Sequence, residues 1–64
     1  MDIKQVFYHV STFVADREFG EALDIYSGLA YADRCHLRSY VRNRAYVNEC
    51  LLEFLNEVEV RDLS

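Results

Sequence analysis

The stretch that decides the fold is residues 33–59, with the sequence DRCHLRSYVRNRAYVNECLLEFLNEVE. Its apolar side chains recur at α-helical spacing and therefore share one face of a helix. They are Leu37, Tyr40, Val41, Val47, Leu51, Leu52, Phe54, Leu55 and Val58. We predict one long amphipathic helix from about residue 33 to about residue 59, which at the helical rise per residue would be roughly 40 Å long.

The N-terminal segment predicts a first, shorter helix over residues 3–14. Asp2 stands where an N-cap is expected, and Gln5 follows three residues later in capping-box position. The apolar residues of the segment again follow helical spacing and are Ile3, Val6, Phe7, Val10, Phe13 and Val14. A strand is the competing interpretation, because the segment is rich in β-branched and aromatic residues. The spacing favours the helix.

Residues 17–27 predict a second short helix, with Asp16 as its N-cap and Gly28 as its stop. Its core positions follow the same spacing and are Phe19, Ala22, Leu23 and Tyr26. Gly20 lies inside this helix, where glycine costs about 1 kcal/mol relative to alanine. That cost favours a close approach of another helix at Gly20; the alternative is that the helix merely tolerates the glycine.

Together these segments predict an all-α fold in a single helical domain over residues 1–64, a short helical hairpin followed by one long C-terminal helix. The hairpin is too short to cover the apolar stripe of the long helix, and a chain of this length buries only about 60% of its unfolded surface. We therefore predict a homodimer, because a second copy is the simplest partner for the uncovered stripe. Its expected interface is Val47, Asn48, Leu51, Phe54, Leu55 and Val58.

The charges of the predicted long helix run in an unexpected order. The helix is basic at its start and acidic toward its end, whereas the helix dipole favours the reverse. An antiparallel partner helix would relieve this mismatch by placing Arg38 and Arg42 near Glu49, Glu53 and Glu57 of the second copy. A solvated face with no tertiary role is the alternative, since exposed ion pairs contribute little.

Arg44 and Asn48 project from the middle of the apolar stripe. A polar residue buried in a helix seam is best known as a device that fixes register or partner. We expect Arg44 to reach a carboxylate across an interface; the alternative is a side chain that passes Tyr40 and Val47 to solvent. The partner-binding surface predicted on this helix is Arg38, Tyr40, Arg42, Arg44 and Tyr46.

A nucleic-acid interaction is the alternative use of the same helix. Arg34, Arg38 and Arg42 form a basic stripe with interleaved aromatic rings, the combination that a nucleic-acid binder needs. The net charge of −4 and the pI near 4.9 disfavour this interpretation, because a polyanion would repel the molecule as a whole. Under this alternative interpretation, the protein is a small dimeric nucleic-acid-associated regulator.

The sequence contains no recognisable catalytic, metal or cofactor motif. Cys35 and His36 are neighbours, but adjacent helical residues point about 100° apart and form no dyad. His9 lies on the flank of a helix, where a packed or surface histidine is more common than a base. Two cysteines, Cys35 and Cys50, are too few for a zinc site or a disulfide framework, although a single bridge is the alternative to a reduced chain. We predict no enzymatic activity, no cofactor and no bound metal.

The first residues, MDIKQ, lack the basic start and apolar core of a secretory signal. No apolar run approaches the roughly 18 residues of a membrane span. We therefore expect a cytoplasmic protein with no membrane partner.

Residues 11–26, STFVADREFGEALDIY, resemble the short Kil peptides of lambdoid bacteriophages, which carry a similar Thr-Phe, Asp, Phe, Glu-Ala and Tyr progression. Members of that family block host cell division by interfering with the tubulin-like ring protein. The resemblance implies a phage-encoded inhibitor that acts by binding. We therefore expect a small non-catalytic interaction module, an inhibitor or regulator from a phage or mobile element that binds a host protein.

Overall fold

The computed structural model describes residues 2–44 and 49–61. Within them the chain forms four helices: α1 Ile3–Ala15, α2 Phe19–Ser27, α3 Tyr31–Arg42 and α4 Glu49–Arg61. Every regular element of this described part is helical, so the predicted all-α class is confirmed. The prediction of a helix rather than a strand for the N-terminal segment is confirmed as well.

α1 begins as its sequence predicts. The Asp2 side chain accepts a hydrogen bond from the Lys4 backbone N–H at 3.0 Å, which satisfies one of the donors that a helix start leaves open. Val10 is completely buried, and the other apolar residues of the helical stripe pack against the core. The face predicted from the spacing is therefore the face that packs.

The turn from α1 to α2 departs from the prediction that Asp16 caps α2. Asp16 closes α1 instead, and the Glu18 backbone N–H donates to the Phe13 carbonyl at 2.8 Å while the Arg17 N–H donates to the Val14 carbonyl at 3.1 Å. This pair of bonds is a Schellman closure, and it puts Arg17 in the left-handed region at φ 61°. Because the closure uses residues 16–18, α2 begins only at Phe19.

The structure also corrects the roles that the sequence predicts for the two glycines. Gly28 is the C-cap of α2 as predicted, but its φ of −76° is right-handed, so it does not use the left-handed freedom of glycine. At Gly20 a β-carbon would meet nothing within 4 Å. The predicted close approach of another helix at Gly20 is therefore wrong for the described chain.

The predicted long helix over residues 33–59 is wrong. α3 ends at Arg42, where Asn43 is the C-cap and donates its backbone N–H to the Ser39 carbonyl at 3.0 Å. A separate helix, α4, begins at Glu49 and has 13 residues. Residues 45–48 of the predicted helix, which include the predicted site residues Tyr46, Val47 and Asn48, lie outside the described residues.

The break lets α4 fold back, so that the apolar stripe is shared inside one chain. The core contains residues from all four helices and the α2–α3 turn: Val10, Ala22, Tyr26, Leu29, Leu37, Val41, Leu51, Leu55 and Val58. The last three were assigned to a homodimer interface, yet they are 0%, 0% and 5% exposed without a second copy. The argument for a dimer rested on an uncovered long helix, and that helix does not form.

Candidate functional site

The predicted basic stripe on α3 is divided by the fold, and Arg34 points into the chain. Its Nε donates to Glu59 Oε1 on α4 at 2.7 Å, and its Nη1 donates to the Leu29 carbonyl at 2.8 Å. The Tyr26 hydroxyl donates to the same Glu59 oxygen at 2.9 Å. Arg34 is therefore part of the polar contact that fixes the end of α4.

The electrostatics of this contact follow from its geometry. Burial alone would raise the pKa of Glu59, but the hydrogen bonds from Arg34 and Tyr26 outweigh it and hold that pKa below its ordinary value. Burial first, and the hydrogen bond to Glu59 second, raise the pKa of the Tyr26 hydroxyl well above its ordinary value. Glu59 is thus held as a carboxylate and Tyr26 as a neutral donor.

Arg38 also belongs to the interior side of α3. Its side chain is half-buried, its Nη2 donates to Cys35 Sγ at 3.3 Å, and its Nε is buried without a hydrogen-bond partner in the described chain. Arg42 alone of the predicted stripe is fully on the surface. Because Arg34 and Arg38 are engaged within the chain, the basic stripe does not form a continuous outward surface for nucleic acid.

Arg44 has partners within its own chain. Its Nη1 donates to the Tyr40 hydroxyl at 2.9 Å, and its guanidinium lies 4.6 Å from the centre of the Phe7 ring. Phe7 and Tyr40 themselves meet edge to face at 5.2 Å. Arg44 is exposed, so the contact resembles the alternative interpretation of a side chain that runs past Tyr40 to solvent. The aromatic contacts account for Arg44 without a carboxylate from another chain. Tyr46 lies outside the described residues.

An open, partly apolar groove of about 510 Å³ lies at the end of α1. It lies between the α1–α2 turn and α4, because α4 packs mainly along α3 and approaches α1 and α2 at few points. We call it the α1–α4 groove. The described residues that line it are Val14, Ala15, Arg17, Phe19, Cys50, Glu53, Phe54 and Glu57.

Two aromatic rings meet in the apolar part of the α1–α4 groove, which also includes Val14 and Ala15. The centres of the Phe19 and Phe54 rings are 5.6 Å apart, and the rings are tilted by 39°. Phe54 is half-buried, whereas Phe19 leaves 46% of its surface exposed although it begins a helix that packs on the core. The pair is therefore anchored on one side and open on the other.

The polar edge of the α1–α4 groove is asymmetric. Glu53 and Glu57 stand on α4, and Glu57 makes an exposed ion pair with Arg61 at 3.1 Å. Arg17 faces the groove from the α1–α2 turn, and Cys50 offers an exposed free thiol. The groove can hold an apolar side chain between an acidic wall and one cation.

The sequence did not indicate this groove. Phe54 was assigned to the homodimer interface and Phe19 to the core of the second helix, and neither was connected with the other. The visible signal is the spacing of Cys50, Glu53, Phe54 and Glu57, which places them on one side of α4. Pairing that side with Phe19 requires knowing that the chain turns back after α3.

The described residues offer neither a metal site nor a membrane span. They contain no group of three or more histidine, cysteine or acidic side chains placed to hold a metal ion. None of their helices is long and apolar enough to cross a bilayer.

No protein family, curated protein or solved structure was found to match this chain. The resemblance of residues 11–26 to the Kil peptides therefore stays a prediction.

Proposed function

We propose that this chain is a non-catalytic protein-binding module, and that its α1–α4 groove receives an apolar side chain from a segment of another protein. The observation that carries the proposal is the Phe19 and Phe54 ring pair, which the chain builds but covers on one side only. Aromatic side chains at the centre of a contact are typical of the residues that dominate binding energy. The rings would serve as the anchor point of the contact.

The backbone at Arg17 supports the same proposal. A left-handed conformation is unfavourable for a residue with a β-carbon, and glycine usually occupies this position of a Schellman closure. Unfavourable backbone conformations of this kind concentrate at functional sites. Keeping arginine here places a cation at the edge of the α1–α4 groove, where glycine would stabilise the fold but contribute no side chain.

Within this class, we propose an inhibitor or regulator from a phage or mobile element that acts in the cytoplasm on a host protein. This part rests on the resemblance to the Kil peptides and on the lack of any catalytic motif in the sequence. Homodimerisation is not needed for it, because three of the residues assigned to the dimer fill the core of one chain.

A chemical block of the groove tests the binding site. Peptides of about 15 residues, long enough to form a helix, are selected from a random display library against the whole chain. Their affinities are then measured before and after alkylation of the chain with N-ethylmaleimide, which reacts with the exposed Cys50 thiol in the groove. We expect alkylation to weaken the selected peptides about tenfold or more, equal to at least about 1.4 kcal/mol.

The Cys50→Ser variant is the matched control, because it keeps the groove and removes the alkylated atom. Peptide binding to this variant should survive the same treatment, which separates Cys50 from the half-buried Cys35. If alkylation leaves every selected peptide bound as before, or if no peptide is selected at all, the proposed function is wrong.

A further inference from the structure

We infer that the segment bound in the α1–α4 groove is a basic amphipathic helix, whose apolar stripe contacts Phe19 and Phe54 and whose lysine or arginine edge lies along α4. The inference rests on the proposed function and adds the chemistry of the partner. It is carried by the charge distribution around the groove.

Most of the negative charge of the chain belongs to the two segments that contribute residues to the groove. Residues 16–21 and 49–57 contain six carboxylates and one guanidinium, and two of the carboxylates, Glu53 and Glu57, line the groove. Residues 31–44, which form α3 and its C-terminal turn, contain four guanidinium groups and one carboxylate. The first set of residues is therefore strongly acidic and the second basic, and the acidic set supplies the open aromatic pair, Phe19 and Phe54.

The acidic wall has helical spacing. Glu49, Glu53 and Glu57 follow one another at four-residue intervals on α4, so that successive carboxylates lie about 6 Å apart along one stripe. All three are exposed, and Glu49 and Glu53 make no ion pair within the described chain. Cations at the same interval on a second helix would meet this stripe. A partner helix beside α4 is therefore favoured over an extended peptide.

The opposite side of the groove sets the orientation of the partner. Among the described residues that line the groove, Arg17 is the one cation, and it lies on the α1–α2 turn, whereas Glu53 and Glu57 lie on α4. A helix with lysine or arginine along both edges would place one edge against Arg17. The better partner has a basic edge toward α4 and an acidic or neutral edge toward Arg17.

The charge also argues against two other occupants. Nucleic acid is a polyanion and would be repelled by the carboxylates that border the groove. A second copy of this chain could approach with its basic α3, but Arg34 and Arg38 on that helix are already engaged within their own chain. The test below distinguishes the second copy from a partner helix.

A biased peptide library measures the charge preference directly. Each peptide has leucine, phenylalanine, methionine or valine along one helical stripe, and each edge position is lysine, glutamine or glutamate at equal frequency. The library is selected separately on the unmodified chain and on the chain alkylated at Cys50. Only peptides that are enriched on the unmodified chain and not on the alkylated chain are counted. We expect lysine to be enriched on one edge and glutamate or glutamine on the other.

Defined peptides then give the size of the effect. We expect the best lysine-edged peptide to bind about tenfold tighter than its glutamine-edged twin at low salt, and the difference to shrink as salt screens the charges. The double variant Glu53→Gln, Glu57→Gln should weaken the lysine-edged peptide about tenfold more than the glutamine-edged one, so that the difference between the two peptides disappears. Asp24→Asn is the matched control, because it removes an exposed carboxylate of α2 that does not line the groove.

The outcomes separate the inference from the proposed function. Groove-dependent enrichment with no preference for lysine, or with a preference for glutamate, overturns the inference and leaves the proposed function in place. The lack of any groove-dependent enrichment overturns both. If light scattering shows association of the chain with itself that Cys50 alkylation abolishes, the occupant is a second copy and the inference is wrong.

Discussion

Arg34 on α3 and Glu59 on α4 form an ion pair with 2.7 Å between Nε and Oε1, and both side chains are largely shielded, at 14% and 13% exposed. The Glu59 oxygen also accepts the Tyr26 hydroxyl, so that one carboxylate joins α2, α3 and α4. The C-terminal part of α4 is therefore held by a polar contact as well as by the buried Val58.

Removing the charge of Glu59 should destabilise the fold. In Glu59→Gln the Arg34 guanidinium loses its counter-charge in a shielded place, which we expect to lower the free energy of unfolding by about 2 kcal/mol. Urea unfolding followed by circular dichroism measures the change. Glu57→Gln is the matched control, because it breaks the exposed pair with Arg61 and should cost less than about 0.5 kcal/mol. Equal losses in the two variants would contradict the structural role assigned to Glu59.

The same pair gives the stability a defined pH dependence. Because the pKa of Glu59 in the folded chain lies below its ordinary value of 4.5, its carboxylate form stabilises the fold above that value. The contribution is lost as the pH falls through the lowered pKa. Unfolding free energies of the wild type and Glu59→Gln should therefore differ near about pH 7, and the difference should shrink as the pH falls below 4.5 and through the lowered pKa. A gap that stays constant over this pH range would refute the assignment.

The helical class and the apolar faces could be predicted from the sequence, because periodic burial is a local property. Val10, Leu37 and Leu55 lie in the core where their spacing places them. The break after α3 could not be predicted in the same way. Leu37 and Val41 before it, and Leu51 and Leu55 after it, keep a spacing that one continuous helix would also satisfy, so that periodicity alone does not distinguish one helix from two.

Two features of the sequence did indicate the break between α3 and α4. Arg44 interrupts the apolar stripe, and we interpreted it as a buried interface residue; the structure places it on the surface just after α3 ends. The charge order that opposed the dipole of a single helix is the second feature. In two helices, Asp33 and Glu49 lie in first turns and Arg42 and Arg61 in last turns, which is the favourable order. The apparent mismatch was evidence for two helices.

The α1–α4 groove shows why the site was harder to predict than the fold. Phe19 and Phe54 are 35 positions apart in sequence, and each has a satisfactory role as a core residue of its own helix. Their contact depends on the path of the chain between α3 and α4, which decides where α4 lies relative to the α1–α2 turn. Local patterns carry no information about that path.

Gly20 should tolerate, and benefit from, a side chain. A β-carbon at this position meets nothing within 4 Å, so Gly20→Ala should raise the free energy of unfolding by about 0.5–1 kcal/mol through its higher helix propensity. Gly28→Ala is the matched control, since its β-carbon would lie 3.3 Å from the Asp24 carbonyl oxygen and should gain less. Thermal and urea unfolding measure both. A destabilised Gly20→Ala would mean that another helix or a second chain does pack at this point.

Replacing Arg17 should separate the cost of its backbone from the use of its side chain. Arg17→Gly relieves the left-handed conformation and should raise the free energy of unfolding by about 1 kcal/mol, whereas Arg17→Ala keeps the unfavourable conformation and should gain nothing. Both variants remove the cation from the α1–α4 groove, so they should change the affinity for a groove-binding peptide by the same factor. Urea unfolding and peptide titration measure the two effects independently. Equal stability of the glycine and alanine variants would show that the turn does not hold residue 17 in the left-handed region.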